Sequence, residues 1–154
     1  MNLPVMFYRF NHFLHQIGLK RLAKIFSWLN RGLFGVWLPA SCKIGKKFKL
    51  GYWGIGVVIH SNTVIGDDCT VAQNVTIGRN FRDKQVPVIG NRVYIGAGAV
   101  VFGEITIGDN VIIGANSVVN KSISPNNIVA GNPFKIIGNT NGNSYKNLDE
   151  KQTE

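Results

Sequence analysis

Cysteine is nearly missing from this sequence: Cys42 and Cys69 are the only two in 154 residues. That excludes a disulfide framework and makes a reduced setting the simpler expectation. Charge is sparse too, at 16% of residues against 45% hydrophobic, which excludes an intrinsically disordered chain. No uncharged apolar run approaches the roughly 18–20 residues that a membrane-spanning helix needs. The N-terminus lacks a short apolar core followed by a small-residue cleavage site, so no secretory signal is expected. The most informative gap is in acid: no Asp or Glu precedes Asp67, whereas nine Lys and Arg do. Within a net charge of +9, that basic arm should seek anions such as lipid headgroups or a phosphorylated ligand. No nucleic-acid motif accompanies it, and nucleic acid is not an expected partner.

Glycine, by contrast, is plentiful at 18 residues, and it falls in a pattern. Aliphatic–glycine pairs recur at Ile44-Gly45, Leu50-Gly51, Ile65-Gly66, Ile77-Gly78, Ile89-Gly90, Ile95-Gly96, Ile107-Gly108 and Ile113-Gly114. With Ile59, Val71, Val101 and Val119 they put an apolar residue at nearly every sixth position. Four residues after each comes a second inward candidate, small or β-branched: Thr63, Cys69, Val75, Val93, Ala99, Ile105, Val111, Ser117 and Ile123. A hexad is too short to bury its own apolar residue. Stacking solves this, with three hexads closing one triangular coil and coils piling up at the ~4.8 Å strand spacing. Residues 18 apart then align along one edge, and glycine at a corner supplies unusual φ or close backbone approach.

The rhythm breaks twice. Leu50 to Ile59 spans nine residues, so a bulge is expected around Tyr52, Trp53, Gly54, Ile55 and Gly56. Between Ile77 and Ile89, position 83 lacks an inward aliphatic, and Arg79–Pro87 reads as a polar, basic loop thrown out from the prism. Ahead of the repeat, Leu3, Met6, Phe7, Phe10, Phe13, Leu14 and Ile17 follow helical spacing, as do Leu22, Ile25, Phe26, Leu29 and Leu33. Asn2 and Pro4 suit the start of the first helix and Gly18 its stop. The expected organisation is a helical segment over 1–38, a repeat domain over 39–138, and a polar, disordered tail over 139–154.

The hexads resemble those of the bacterial hexapeptide-repeat acyltransferases, which implies a mainly β fold: a left-handed parallel β-helix preceded by an amphipathic helical hairpin. The general rule for parallel crossovers would have favoured the right hand, so the handedness rests on the resemblance. The likeness is most specific at Ile95-Gly96-Ala97-Gly98-Ala99, at Ile113–Val119, and at Ile128-Val129-Ala130-Gly131-Asn132-Pro133-Phe134-Lys135-Ile136-Ile137. It is strongest toward serine acetyltransferase and its relatives in surface-polysaccharide gene clusters. The resemblance implies homotrimers with acetyl-CoA bound between neighbouring prisms. It places Ala97 and Ala115 on the pantetheine arm and Gly78 and Arg79 near the thioester. Ala130, Gly131 and Lys135 would flank the nucleotide, with Lys121 a further phosphate candidate.

Acetyl transfer from a thioester to a hydroxyl needs a base, and imidazole is the natural one near neutral pH. His12 and His15 lie in the first helix, leaving His60 as the only histidine of the prism. One imidazole cannot furnish a three-histidine zinc centre, so no metal is expected. The sequence departs from serine acetyltransferase where that family's two catalytic histidines fall: this chain has Gly51-Tyr52-Trp53 and Val86 there. His60 is left as the candidate base, on the pattern of the polysaccharide-cluster relatives. Tyr52 is a weaker candidate, since a phenol of pKa ~10 is a poor base. Tyr52, Trp53, Asp67 and Asn74 are candidate acceptor contacts, and Asp67 or Asp68 could orient the imidazole. Cys69 at an inward position reads as packing. The expected activity is O-acetylation of a sugar in capsule or exopolysaccharide assembly, by direct attack on acetyl-CoA. Serine O-acetylation, N-acetylation of a nucleotide amino sugar, and a non-catalytic CoA-binding or assembly subunit are the alternatives. The expected location is cytoplasmic, with two alternatives open for the basic helices: contact with an anionic inner membrane, or packing of their apolar stripes on the prism or on each other.

Overall fold

A computed structural model describes residues 2–82 and 85–150. The hexads wind into a parallel β-helix with three faces. The first face stacks Lys43–Ile44, Val64–Ile65, Val88–Ile89 and Thr106–Ile107, and Ile123 bridges onto its end. The second stacks Lys49–Leu50, Thr70–Val71, Tyr94–Ile95, Ile112–Ile113 and Asn127–Gly131, closed by Phe134–Asn139 running antiparallel. The third stacks Val58–Ile59, Thr76–Gly78, Val100–Phe102 and Val118–Val119, with Trp37 bridging onto Val58.

Each short strand points its second residue inward, so Ile59, Ile77, Ile89, Ile95, Ile107 and Ile113 form a fully buried column. Every such side chain contributes about 1.5–3 kcal/mol by leaving water. The glycine that follows serves close approach: a Cβ on Gly96 would stand 2.6 Å from the Ala115 nitrogen, and one on Gly66 2.6 Å from the Gly90 oxygen. Left-handed φ falls instead three residues after the inward aliphatic. It is taken by Lys47, Asp68, Arg92, Asn110 and Asn126 between the first and second faces, and by Asn74, Gly98 and Asn116 between the second and third, where Gly56 ends the bulge with the same φ sign.

The hairpin precedes this prism as α1 (Leu3–Gln16) and α2 (Lys20–Phe34), the latter ended by Gly35 at φ 67°. α1 docks under the first coil. The Tyr8 hydroxyl donates to the Cys42 carbonyl at 2.7 Å and accepts from the Ile44 N–H at 3.2 Å, and burial raises its pKa. The seam between the helices is polar: Asn11 Nδ2 donates to Ser27 Oγ at 3.0 Å, and Asn30 Nδ2 donates to the Pro4 carbonyl at 3.1 Å. Consequently the apolar stripes stay largely outside. Met6, Phe10 and Phe13 of α1, Ile17 at its C-cap, and Leu22, Ile25, Leu29 and Leu33 of α2 are all exposed, linked where Phe10 meets Phe26 edge to face at 5.0 Å.

The tail departs from the expected disorder as far as Glu150. Thr140 is buried, and a third helix, α3 (Tyr145–Glu150), lies back on the second face. Tyr145 stacks on Tyr94 with ring centres 3.9 Å apart, and Lys146 pairs with Asp68, which anchors a segment whose composition alone gives no hint of order. Residues 151–154 of that tail lie outside the described residues, as do Asp83 and Lys84 of the expected loop.

Candidate functional site

Strand register sorts the candidate residues by edge. Ile59 pairs with Ile77, and the His60 N–H donates to the Ile77 carbonyl at 2.9 Å, so His60 sits in line with Gly78 where the third face turns into the first. Arg79 and Lys121 are exposed along that same edge. A Cβ on Gly78 would meet nothing within 4 Å, and its φ is not left-handed, so neither packing nor backbone conformation demands glycine there. An approaching ligand would find bare backbone beside the imidazole.

His60 is half-buried, and its Nδ1 accepts the Asn62 N–H at 3.2 Å. A backbone N–H can only donate, so the neutral ring carries its proton on Nε2 in this arrangement. Asp67 and Asp68 do not orient it. Both stand at the edge between the first and second faces, where Asp67 Oδ1 accepts the Lys46 N–H at 2.6 Å and Asp68 pairs with Lys146. Carboxylates following an inward isoleucine here tie one coil to the next.

Ala97 and Ala115 occupy a different edge, between the second and third faces. Tyr94 pairs with Ile112 and Ile112 with Ile128, which lines up Ala97, Ala115 and Gly131 on successive coils. The Ala97 carbonyl accepts the Asn116 N–H at 2.8 Å, while the N–H groups of Ala97 and Ala115 have no partner among the described hydrogen bonds. Ala130 pairs with Lys135 across the terminal antiparallel turn, bringing a cation to the same edge. This ledge of small side chains and open N–H donors fits a pantetheine arm with a phosphate-bearing end. The residues of the expected cofactor site therefore fall into two groups, separated by the width of the third face.

Tyr52 and Trp53 protrude at the bulge with left-handed φ of 47° and 59°. They line an apolar recess of about 560 Å³ with Leu33, Phe34, Gly35 and Ile55. Asn74 holds a left-handed corner directly beside Gly56, which is a structural reason for its presence. Val86, standing where a catalytic histidine of the resembled family would fall, is buried. Burial pushes the Cys42 thiol up to about 12 and the Cys69 thiol to about 11, so neither is a nucleophile near neutral pH. His12 is structural, its Nδ1 lying 2.7 Å from the Ala40 carbonyl. Among the described residues, no group of three or more His, Cys, Asp and Glu could hold a metal ion. Nor is any described helix long and apolar enough to cross a membrane. Sequence reasoning missed His15, Lys20 and Lys24 as site candidates, since only the fold brings them against the first coil.

The family model described as bacterial transferase hexapeptide (six repeats) matches residues 87–121. The chain is 39% identical over 132 residues to serine acetyltransferase of Helicobacter pylori (strain ATCC 700392 / 26695), covering 84% of this chain and 77% of that protein. It is 36% identical over 142 residues to a protein of Escherichia coli (strain K12) named "Putative colanic acid biosynthesis acetyltransferase WcaB", covering 86% and 87%. Among solved structures, serine acetyltransferase from Brucella abortus strain S19 superposes with a TM-score of 0.84 at 31% identity. That match covers 89% of this chain and 56% of the solved one, so this chain spans little more than half of that enzyme. The same enzyme solved in complex with coenzyme A gives a TM-score of 0.84 at 31% identity, over 88% of this chain and 55% of the solved chain.

Proposed function

This chain belongs to the bacterial hexapeptide-repeat acetyltransferases, and from that premise we propose that it moves an acetyl group from acetyl-CoA to a sugar hydroxyl in surface-polysaccharide assembly. The observation that carries the reading is His60 in line with the open Gly78, the one prism imidazole beside an edge where the fold does not need glycine. The acceptor oxygen attacks the thioester carbonyl carbon, its proton passes to the imidazole, and the carbon–sulfur bond breaks to release CoA thiolate, which recovers that proton. For Nε2 to take it, the ring must hold its other proton on Nδ1 and give up the Asn62 contact, at a cost of about 1 kcal/mol. A neutral ring poised as it stands would instead donate from Nε2 to the developing oxyanion.

Sugar is favoured over serine by what occupies the other catalytic positions of the resembled family: the bulge aromatics Tyr52 and Trp53, and a buried Val86. Exposed aromatics suit the apolar faces of a sugar ring. The two edges that divide the cofactor residues come together if neighbouring prisms in a homotrimer face each other. The Ala97–Ala115 ledge of one protomer would then oppose the His60–Gly78 edge of the next. The exposed apolar stripes of α1 and α2, on an arm without acids, support contact with an anionic inner membrane from the cytoplasmic side.

The test is thiol release from acetyl-CoA in the presence of sugars, nucleotide sugars and serine. Activity with a sugar acceptor is expected, falling about 10²–10⁴-fold in His60→Ala. Turnover of serine alone, or activity indifferent to His60, would overturn the reading.

A further inference from the structure

Directly below His60 the hairpin and the prism enclose a cleft of about 230 Å³, lined by His15, Lys20, Lys24 and Ser27 of the helices and by Trp37, Pro39, Ala40 and Ser41 of the incoming chain. Trp37 bridges Val58, and the Ile59 N–H donates to the Trp37 carbonyl at 3.0 Å, so Pro39 runs in register one coil beneath His60. Ser41 Oγ donates to the Ser61 carbonyl at 3.1 Å, tying the cleft wall to the residue after the imidazole. Trp28 meets the Trp37 ring edge to face at 5.2 Å, and the Arg31 guanidinium lies 5.8 Å from its centre, which fixes the floor.

The charges around this cleft are all of one sign. Lys20 and Lys24 lie one helical turn apart in α2, on the same side, and His15 faces them from the last turn of α1. α2 begins at Lys20 with no acidic residue in its first turn, so its N-terminal dipole repels the same cations. No described ion pair neutralises them, and the first carboxylates in the sequence, Asp67 and Asp68, are engaged at another edge. Like charges one turn apart destabilise a helix. Both serine hydroxyls of the cleft already donate to carbonyls, Ser27 to Ala23 at 3.2 Å and Ser41 to Ser61, so the two lysines are the groups that an anion would relieve. The volume lies below the 300–1,000 Å³ typical of whole-ligand pockets and the lining is largely apolar, which leaves room for a phosphate or diphosphate only beside the two lysines, with its carrier extending outward.

We propose that this cleft seats the phosphate of a phosphorylated acceptor one coil below His60, so that the attached sugar reaches the imidazole. This rests on the acetyl-transfer reading for its purpose, though not for its binding chemistry. The phosphate could belong to a soluble sugar phosphate or to a lipid headgroup, and the experiment has an arm for each.

The full chain is titrated calorimetrically with inorganic pyrophosphate and, separately, with CoA. Pyrophosphate binding is expected, weakened about tenfold or more in Lys20→Ala/Lys24→Ala and recovered in Lys20→Arg/Lys24→Arg, with CoA binding retained throughout. In the second arm the protein is sedimented with phosphatidylglycerol vesicles. Release by pyrophosphate assigns the seat to a lipid-borne phosphate, and indifference to it assigns a soluble one. Absence of pyrophosphate binding, or binding equal in the alanine double variant, overturns the proposal even if thiol release succeeds. Binding through the two lysines by a protein that acetylates no acceptor would instead overturn the acetyl-transfer reading and leave the phosphate seat standing.

Discussion

Two glycines separate what the scaffold requires from what the chemistry would use. Gly96 packs so closely on the next coil that a methyl group would sit 2.6 Å from the Ala115 nitrogen, whereas Gly78 faces open space. Gly96→Ala should therefore cost several kcal/mol through forced backbone movement, lowering the melting temperature by several degrees. Gly78→Ala should leave the melting temperature within about a degree of the parent while weakening CoA binding or raising KM. Thermal unfolding and a CoA titration on the two variants check both halves. In sequence the two positions look alike, each a glycine after an inward isoleucine. Register tells them apart, and register is set by a loop nine residues long that hexad counting alone does not resolve. Ala97 and Ala115 are candidates by the family resemblance and His60 as the one histidine of the prism; the spacing adds only that residues 18 apart share an edge wherever coils are uninterrupted. It could not reveal that these lie on different edges, nor that Asp67 is spent on the Lys46 N–H.

At the scale of elements, the hairpin teaches how far periodicity carries. Apolar residues at helical spacing located α1 and α2 within a residue or two. Which side of each helix meets its neighbour depends on shape and hydrogen bonding. Here small and polar side chains, Ala23, Ser27, Asn11 and Asn30, make the seam and release the apolar stripes outward. The seam residues are inconspicuous in a hydropathy pattern because their contribution comes from close approach and satisfied donors. If the stripes meet lipid, Phe10→Ser/Ile25→Ser should leave circular dichroism and melting temperature close to the parent. Cosedimentation with anionic vesicles should fall at least tenfold, since each large apolar side chain withdrawn from water is worth about 1.5–3 kcal/mol. A large loss of thermal stability would show that these side chains support the fold instead.

For the whole molecule, the proposed acetyl transfer would make oligomerisation a requirement, since the candidate cofactor residues lie on two separate edges. On that reading one protomer would offer the imidazole edge and its neighbour the ledge of small residues. A His60→Ala chain and an Ala115→Trp chain should each be inactive. After co-refolding as a mixture they should regain a fraction of parental thiol release, because some interfaces pair an intact imidazole with an intact ledge. No recovery in mixed oligomers of confirmed composition would place both halves of the site on one chain. The repeat domain was legible because each hexad announces itself locally. The ordered tail was not, since its anchors, Tyr145 on Tyr94 and Lys146 on Asp68, join residues far apart in a stretch of turn-forming composition.

The reversal of direction at Phe134–Asn139 has a bearing on solubility. A stack of parallel rungs ends in unpaired amides and carbonyls that invite another copy to continue the pile. Here the last rung folds back on itself, and at the opposite end α1 lies across the first coil, with Tyr8 holding the Ile44 amide. Fibre growth along the solenoid axis is stopped at both extremities, so the molecule can associate side by side without polymerising end to end.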